Sequence, residues 1–173
     1  ITHTIVNTGK EPVTGSAWSL SVLDAGGIAI VPLSKKQTGL LPSRNIVLWD
    51  YTDMTDDRLL FGKDIIAVRQ DSSKQNALKI GVGQATGKIA YVNHGQALVK
   101  EYEADENASY PDFGSATEVY TCPSFTEAET LSPLTSIGKN EKIVHTETWT
   151  LTDNISTPDF TAEALTNLSE KLF

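Results

Sequence analysis

The chain has 173 residues, 39% of them apolar, enough for one respectable core, and 22 acidic residues against 14 basic ones leave a net charge of -8. That field repels phosphate backbones and anionic membrane surfaces, so neither nucleic acid nor membrane is expected as a partner. No run of about 18 apolar residues occurs to span a bilayer, and the first 20 residues carry neither a basic start nor an apolar signal core, so the chain reads as soluble. Cys122, the sole cysteine, allows no internal disulfide and no thiolate metal cluster. It leaves cytoplasm, bacterial periplasm and secretion all open.

Short runs rich in Val, Ile, Thr, Tyr and Trp recur between Gly, Pro, Asn and Asp clusters, the pattern of many strands joined by turns. The expected strands run Ile1 to Asn7, Ala17 to Leu23, Ile28 to Leu33, Asn45 to Asp50, Asp64 to Gln70 and Leu78 to Val82. They continue with Lys88 to Asn93, Gln96 to Glu103, Thr117 to Cys122, Phe125 to Leu131 and Lys142 to Thr152. Asn7 to Pro12 and Asn93-His94-Gly95 read as hairpin turns that need positive φ. Lys35 to Arg44 and the acidic stretch Ala104 to Gly114 read as long surface loops. Only the end is helical in pattern: after Ser156-Thr157-Pro158-Asp159 come Phe160, Ala164, Leu165, Leu168 and Leu172. The expectation is one domain over 1–173, an all-β, large antiparallel two-sheet β-sandwich with a short C-terminal helix as a cap. Ile1 already lies in a strand, so strands upstream of it are expected, and that strand edge calls for cover by a second fragment or an oligomer.

Period-2 alternation puts Phe125, Glu127, Glu129 and Leu131 on one face of their strand. In a cleft, crowding and desolvation raise the proton affinity of one carboxyl, which makes a general acid/base pair. On a solvated outer face, Thr126, Ala128 and Thr130 pack inside instead, and alternation alone does not choose. His145, Glu147 and Trp149 share a face of the last strand, but two ligands are too few for a metal and His3 and His94 offer no recognisable spacing, so no metal site and no cofactor are expected. Tyr110-Pro111-Asp112-Phe113-Gly114 combines an aromatic platform, a carboxylate and a turn glycine, parts that suit sugar recognition and equally suit a plain loop anchor. Lys100 reads either as a functional cation or as a surface lysine. Gly81-Val82-Gly83 lacks the third glycine of a phosphate loop, and no Gly-x-Ser-x-Gly elbow occurs.

Lys79-Ile80-Gly81, Ile89-Ala90-Tyr91, Leu98-Val99-Lys100, Tyr110 to Gly114, Glu118-Val119-Tyr120, Glu127 to Leu134 and His145 to Trp149, with Ala17-Trp18-Ser19-Leu20 and Gly26-Gly27 earlier, carry a likeness. Together they resemble an uncharacterised bacterial domain family of the galactose mutarotase-like supersandwich, the fold of aldose 1-epimerases. The resemblance implies a partial supersandwich whose first strands precede Ile1, and a carbohydrate ligand. Glu129 stands in it as the counterpart of the epimerase base, with Glu127 beside it. Trp18, Tyr110, Asp112 and Lys100 are the candidate substrate-binding residues, on their aromatic, carboxylate and cationic chemistry. The chain departs from the epimerases where they carry a histidine: it has Trp18-Ser19-Leu20 there, so one of the two groups of a ring-opening proton relay is missing. The implied function is therefore carbohydrate binding or processing of unspecified reaction, with a non-catalytic structural or protein-interaction sandwich as the alternative.

Overall fold

The computed structural model describes residues 1–83 and 86–173. The larger sheet has seven strands in the spatial order β1 (Thr2–Val6), β14 (Lys142–Asp153), β10 (Gln96–Tyr102), β9 (Lys88–Asn93), β4 (Ile28–Pro32), β7 (Ile65–Arg69) and β6 (Leu59–Phe61). The second has five, in the order β3 (Trp18–Asp24), β12 (Phe125–Leu131), β11 (Thr117–Thr121), β8 (Leu78–Val82) and β5 (Ile46–Leu48). β2 (Val13–Gly15) and β13 (Thr135–Ile137) form a small separate pair. The described strand pairs are antiparallel, as expected of a two-sheet sandwich. No helix of the described residues is long and apolar enough to cross a membrane.

The core between the sheets follows from alternation. Ala29, Val31, Ile66 and Val68 from the larger sheet meet Leu78, Ile80, Val82, Val119 and Ala128 from the smaller. The other face of the larger sheet is apolar too: Ile28, Ile30, Ile65 and Ala67 are buried there because α2 (Ala162–Leu172) lays Leu165 and Leu168 across them. β4 and β7 are thus apolar on both faces, the pattern of strands covered on both sides. Thr161 caps α2 by accepting a hydrogen bond from the Ala164 amide. The layers run helix, seven-stranded sheet, five-stranded sheet.

Each of the eleven expected strands is found within one or two residues of its expected ends. The three additions, β2, β6 and β13, are three residues long, too short to show a period. Asn93-His94-Gly95 does make the β9–β10 hairpin, with His94 at φ 50 and Gly95 at φ 75. Asn7 to Pro12 does not make a hairpin: β1 pairs with β14 and β2 with β13. Asn7 holds that turn with its own side chain, which accepts from the Gly9 amide and donates to the Glu11 and Ile137 carbonyls. In the loop Ala104 to Gly114, the single turn α1 (Pro111–Gly114) has Asp112, Phe113 and Gly114 in succession at positive φ, so it is a tight left-handed turn rather than a helix.

Ile80 is fully buried between the sheets, whereas Leu40 stands free in solvent. Ile80→Ala should cost about 2–5 kcal/mol in urea unfolding, and Leu40→Ala less than about 0.5 kcal/mol. Equal losses at the two positions would contradict the assigned core.

Candidate functional site

On the outer face of the five-stranded sheet, the face turned away from the larger sheet, strand register sets two carboxyl groups side by side. Glu118 of β11 lies directly opposite Glu129 of β12. Like charges so placed repel, and the neighbouring strand supplies the answer: Lys79 of β8 sends its ammonium between them, Nζ lying 2.7 Å from Glu118 and 2.9 Å from Glu129. The contact to Glu118 lacks hydrogen-bond alignment, so both oxygens of that carboxyl, and Oε1 of Glu129, have no hydrogen-bond partner. Trp18 Nε1 donates to Glu129 Oε2 at 2.7 Å. The Trp18 and Trp49 rings each stand with their centroids 4.8 Å from the Lys79 ammonium, so one cation is shared by two indole faces.

Glu118 and Glu129 are wholly buried, Lys79 is 7% exposed, and Trp18 is 54% exposed. Burial pushes the Glu118 carboxyl up to about 8; Lys79 opposes this and the facing Glu129 adds to it. At neutral pH Glu118 therefore keeps its proton. Burial alone would lower Lys79, but its contacts with Glu118 and Glu129 outweigh that and raise it, so it stays an ammonium. Half-buried Glu127, on the same face, is raised by desolvation and then by the charge of Glu129. Burial also raises the Tyr51 and Tyr120 phenols at the rim, which stay protonated.

On the opposite side of β12, between the sheets, lies a second charged cluster. Glu147 of β14 accepts from Ser19 Oγ at 2.7 Å, Thr130 Oγ1 at 2.5 Å, Trp149 Nε1 at 3.1 Å and His3 Nε2 at 3.0 Å, and pairs with Lys100 Nζ at 2.9 Å. Lys100 also donates to Ser21 Oγ and the Ala128 carbonyl. Because the Thr130 hydroxyl gives its one hydrogen to Glu147, His145 Nε2, 2.8 Å away, must donate to Thr130, which fixes that ring's tautomer. Burial acts to raise Glu147, but the bonds from Thr130, Lys100 and Ser19 outweigh it and bring the carboxyl down to about 2. Desolvation lowers both Lys100 and His145, with Glu147 opposing in each case. His145 is therefore neutral at pH 7.

The expected residues are thus divided among three places. Trp18, Glu127 and Glu129 share the outer face, with Thr126, Ala128 and Thr130 inside. Yet Glu129 is not solvated there, because Trp18 and Lys79 cover it. Lys100 is neither a surface lysine nor a neighbour on that face: it is buried behind β12 with Glu147. Tyr110 lines a separate recess of about 660 Å³ with Arg44, Asn45 and Phe113, and its hydroxyl accepts from the Asp105 amide. Asp112 sits exposed in the left-handed turn. Among the described residues no hydrogen bond or ion pair joins Tyr110 or Asp112 to Glu129, so the single cleft expected from the sequence, with Tyr110, Asp112 and Lys100 around Glu129, is not formed. Its place is taken by Lys79 and Glu118, whose approach to Glu129 depends on the register of β8, β11 and β12, and by Trp49, which follows β5 and stands against Lys79.

No family model, curated protein or solved structure matches the chain. The site's chemistry therefore rests on its own geometry.

The two clusters respond to pH with opposite signs. Glu147, at about 2 folded against 4.5 for a free glutamate, contributes stability that is full above 4.5 and is lost as pH falls toward 2. Glu118, at about 8 folded, holds a proton that the unfolded chain releases, so its contribution declines as pH rises from 4.5 to 8 and is flat beyond. Urea unfolding at pH 5 and pH 8 should show Glu118→Gln losing less stability over that interval than the parent. Glu147→Gln should cost about 3–5 kcal/mol at pH 7, because the buried Lys100 ammonium is left without a counter-charge.

Proposed function

We propose that this sandwich is a carbohydrate-handling domain of galactose mutarotase-like type that takes a sugar on the outer face of the five-stranded sheet. The observation that carries the reading is the pair Trp18 and Trp49, which flank one ammonium at 4.8 Å each above a shared pair of carboxyl groups. Indole faces suit the C–H faces of a pyranose, and a few placed polar groups between them suit its hydroxyls. With Glu118 protonated, the charges of Lys79 and Glu129 offset one another, which favours a neutral sugar over a charged ligand. Tyr51 and half-buried Glu127 lie at the rim to meet further hydroxyls.

Binding is better supported than turnover. The carboxyl groups are covered, and of the central three only Lys79 reaches the surface at all. A proton could pass between sugar and protein only through Lys79, Glu129 and Glu118 after Trp18 swings aside. In this reading Glu129 is the base, held in orientation by Trp18 and Lys79, and Glu118 is the group beside it that carries a proton at neutral pH.

A glycan array followed by calorimetry on its hits checks the proposal. Trp18→Ala and Trp49→Ala should each weaken sugar binding about tenfold, the loss of roughly 1.5 kcal/mol of stacking, while Phe113→Ala should leave it unchanged. Glu129→Gln should abolish any turnover and leave the fold intact. A blank array, or binding indifferent to both tryptophans, would overturn the reading.

A further inference from the structure

Sheet edges in stable proteins are kept short, charged or covered, because a row of free N–H and C=O groups pairs readily with another strand. Three of the four edges of the two main sheets are short: β5 and β6 have three residues each and β1 has five. β3, the fourth, has seven and carries no lysine, arginine or proline; its only charge is Asp24 at the end. Its outward side chains are apolar and open, with Leu20 40% and Val22 61% exposed beside Trp18.

The direction of its free groups follows from one bond. The Ser132 amide donates to the Ala17 carbonyl, so Ala17 points its backbone at β12, and with antiparallel alternation Ser19, Ser21 and Leu23 do the same. The N–H and C=O groups of Leu20 and Val22 therefore point away from the sheet. Below that edge the larger sheet offers an uncovered floor. Leu151 is 62% exposed and Trp149 is open although both face inward, and Leu98 and Leu151 with Leu23 and Tyr91 line a recess of about 210 Å³. A strand laid beside β3 would set alternate side chains into that recess and the others beside Leu20 and Val22.

We propose that the β3 edge takes an extended segment of another protein as an additional strand, a segment with alternate apolar residues and a basic residue at the end beside Asp24. Charge selects that end: Asp24 and Asp153 are both exposed there, met only by His94 Nε2, 2.8 Å from the Asp24 carboxylate, and by the Gln96 amide on Asp153, and no lysine or arginine lines the recess among the described residues. A second copy of this chain does not supply the basic end, because its own β3 edge carries no lysine or arginine to meet Asp24. The binding mode is β-strand addition, in which backbone bonds give affinity and alternate pockets give selectivity.

The test uses the whole chain and the peptide Lys-Val-Thr-Val-Thr-Val-Lys, with a glutamate-ended version as control. Hydrogen exchange of the Leu20 and Val22 amides should be fast in the free protein and slow at least tenfold on saturation with the lysine-ended peptide. Val22→Pro removes an outward amide without touching the ladder to β12, and should weaken peptide binding at least tenfold with the unfolding midpoint unchanged. The glutamate-ended peptide should bind at least tenfold more weakly. Amides that do not slow under saturating peptide, undiminished binding to Val22→Pro, equal binding of the two peptides, or a dimer of this chain that Val22→Pro dissolves would each overturn the proposal. The exchange measurement needs no variant, so it decides even where Val22→Pro fails to fold.

Discussion

One carboxylate holds the sandwich in register. Glu147 gathers donors from β1, β3, β10, β12 and its own strand, so a single buried charge ties three strands of the larger sheet to two of the smaller. A buried carboxylate with one missing donor would be costly, and that is the constraint. A one-residue slip of β3 would turn Ser19 and Ser21 outward and replace them with Trp18 and Leu20, leaving Glu147 and Lys100 without those partners. Apolar packing presses the sheets together without specifying their relative slide; the Glu147 cluster supplies that specification.

The outer site depends on the same register. Because Ser19 and Ser21 face in, Trp18 and Leu20 face out, and Trp18 then lies where its indole N–H reaches Glu129. Thr130 donates inward to Glu147 while its neighbour Glu129 binds outward to Lys79 and Trp18. β12 is thus the shared wall of two charged clusters with opposite character. Behind it the Glu147 carboxylate is fully bonded and strongly ionised; in front, two carboxyl groups share one ammonium and are short of partners. Two kinds of electrostatics are separated by the thickness of one strand.

The sheet architecture was legible because strand alternation and turn residues are local signals, and Phe125–Leu131 and Lys88–Asn93 stand where alternation puts them. The outer position of Glu127 and Glu129 was legible as one of two options, since alternation assigns a side but not which side is inside. Lys79 was not legible as a site residue: in Leu78-Lys79-Ile80-Gly81-Val82 it is one lysine in an apolar run, and only the pairing of β8 with β11 brings it to Glu118 and Glu129. Lys100 misled for the converse reason. Nothing local to Val99-Lys100 announces a buried partner 47 positions away. The joining of Tyr110 and Asp112 to Glu129 failed because loop position is set by the left-handed turn at Asp112 and Phe113, which no alternation encodes.

The pairing of β1 with β14 has a consequence for the order of events in synthesis. His3 meets His145 across that ladder, so β1 waits for β14. β3 likewise waits for β12, with Trp18 opposite Leu131. β1 and β3 must remain unpaired on the ribosome until β14 and β12 have emerged, and the Glu147 cluster cannot assemble before then. Loops of that length are slow to close. The nascent chain therefore passes through a long interval in which the β4–β7 pair and the β9–β10 hairpin exist without the strands that will seal them, and it is in that interval that its apolar strands are open to capture by chaperones or by one another.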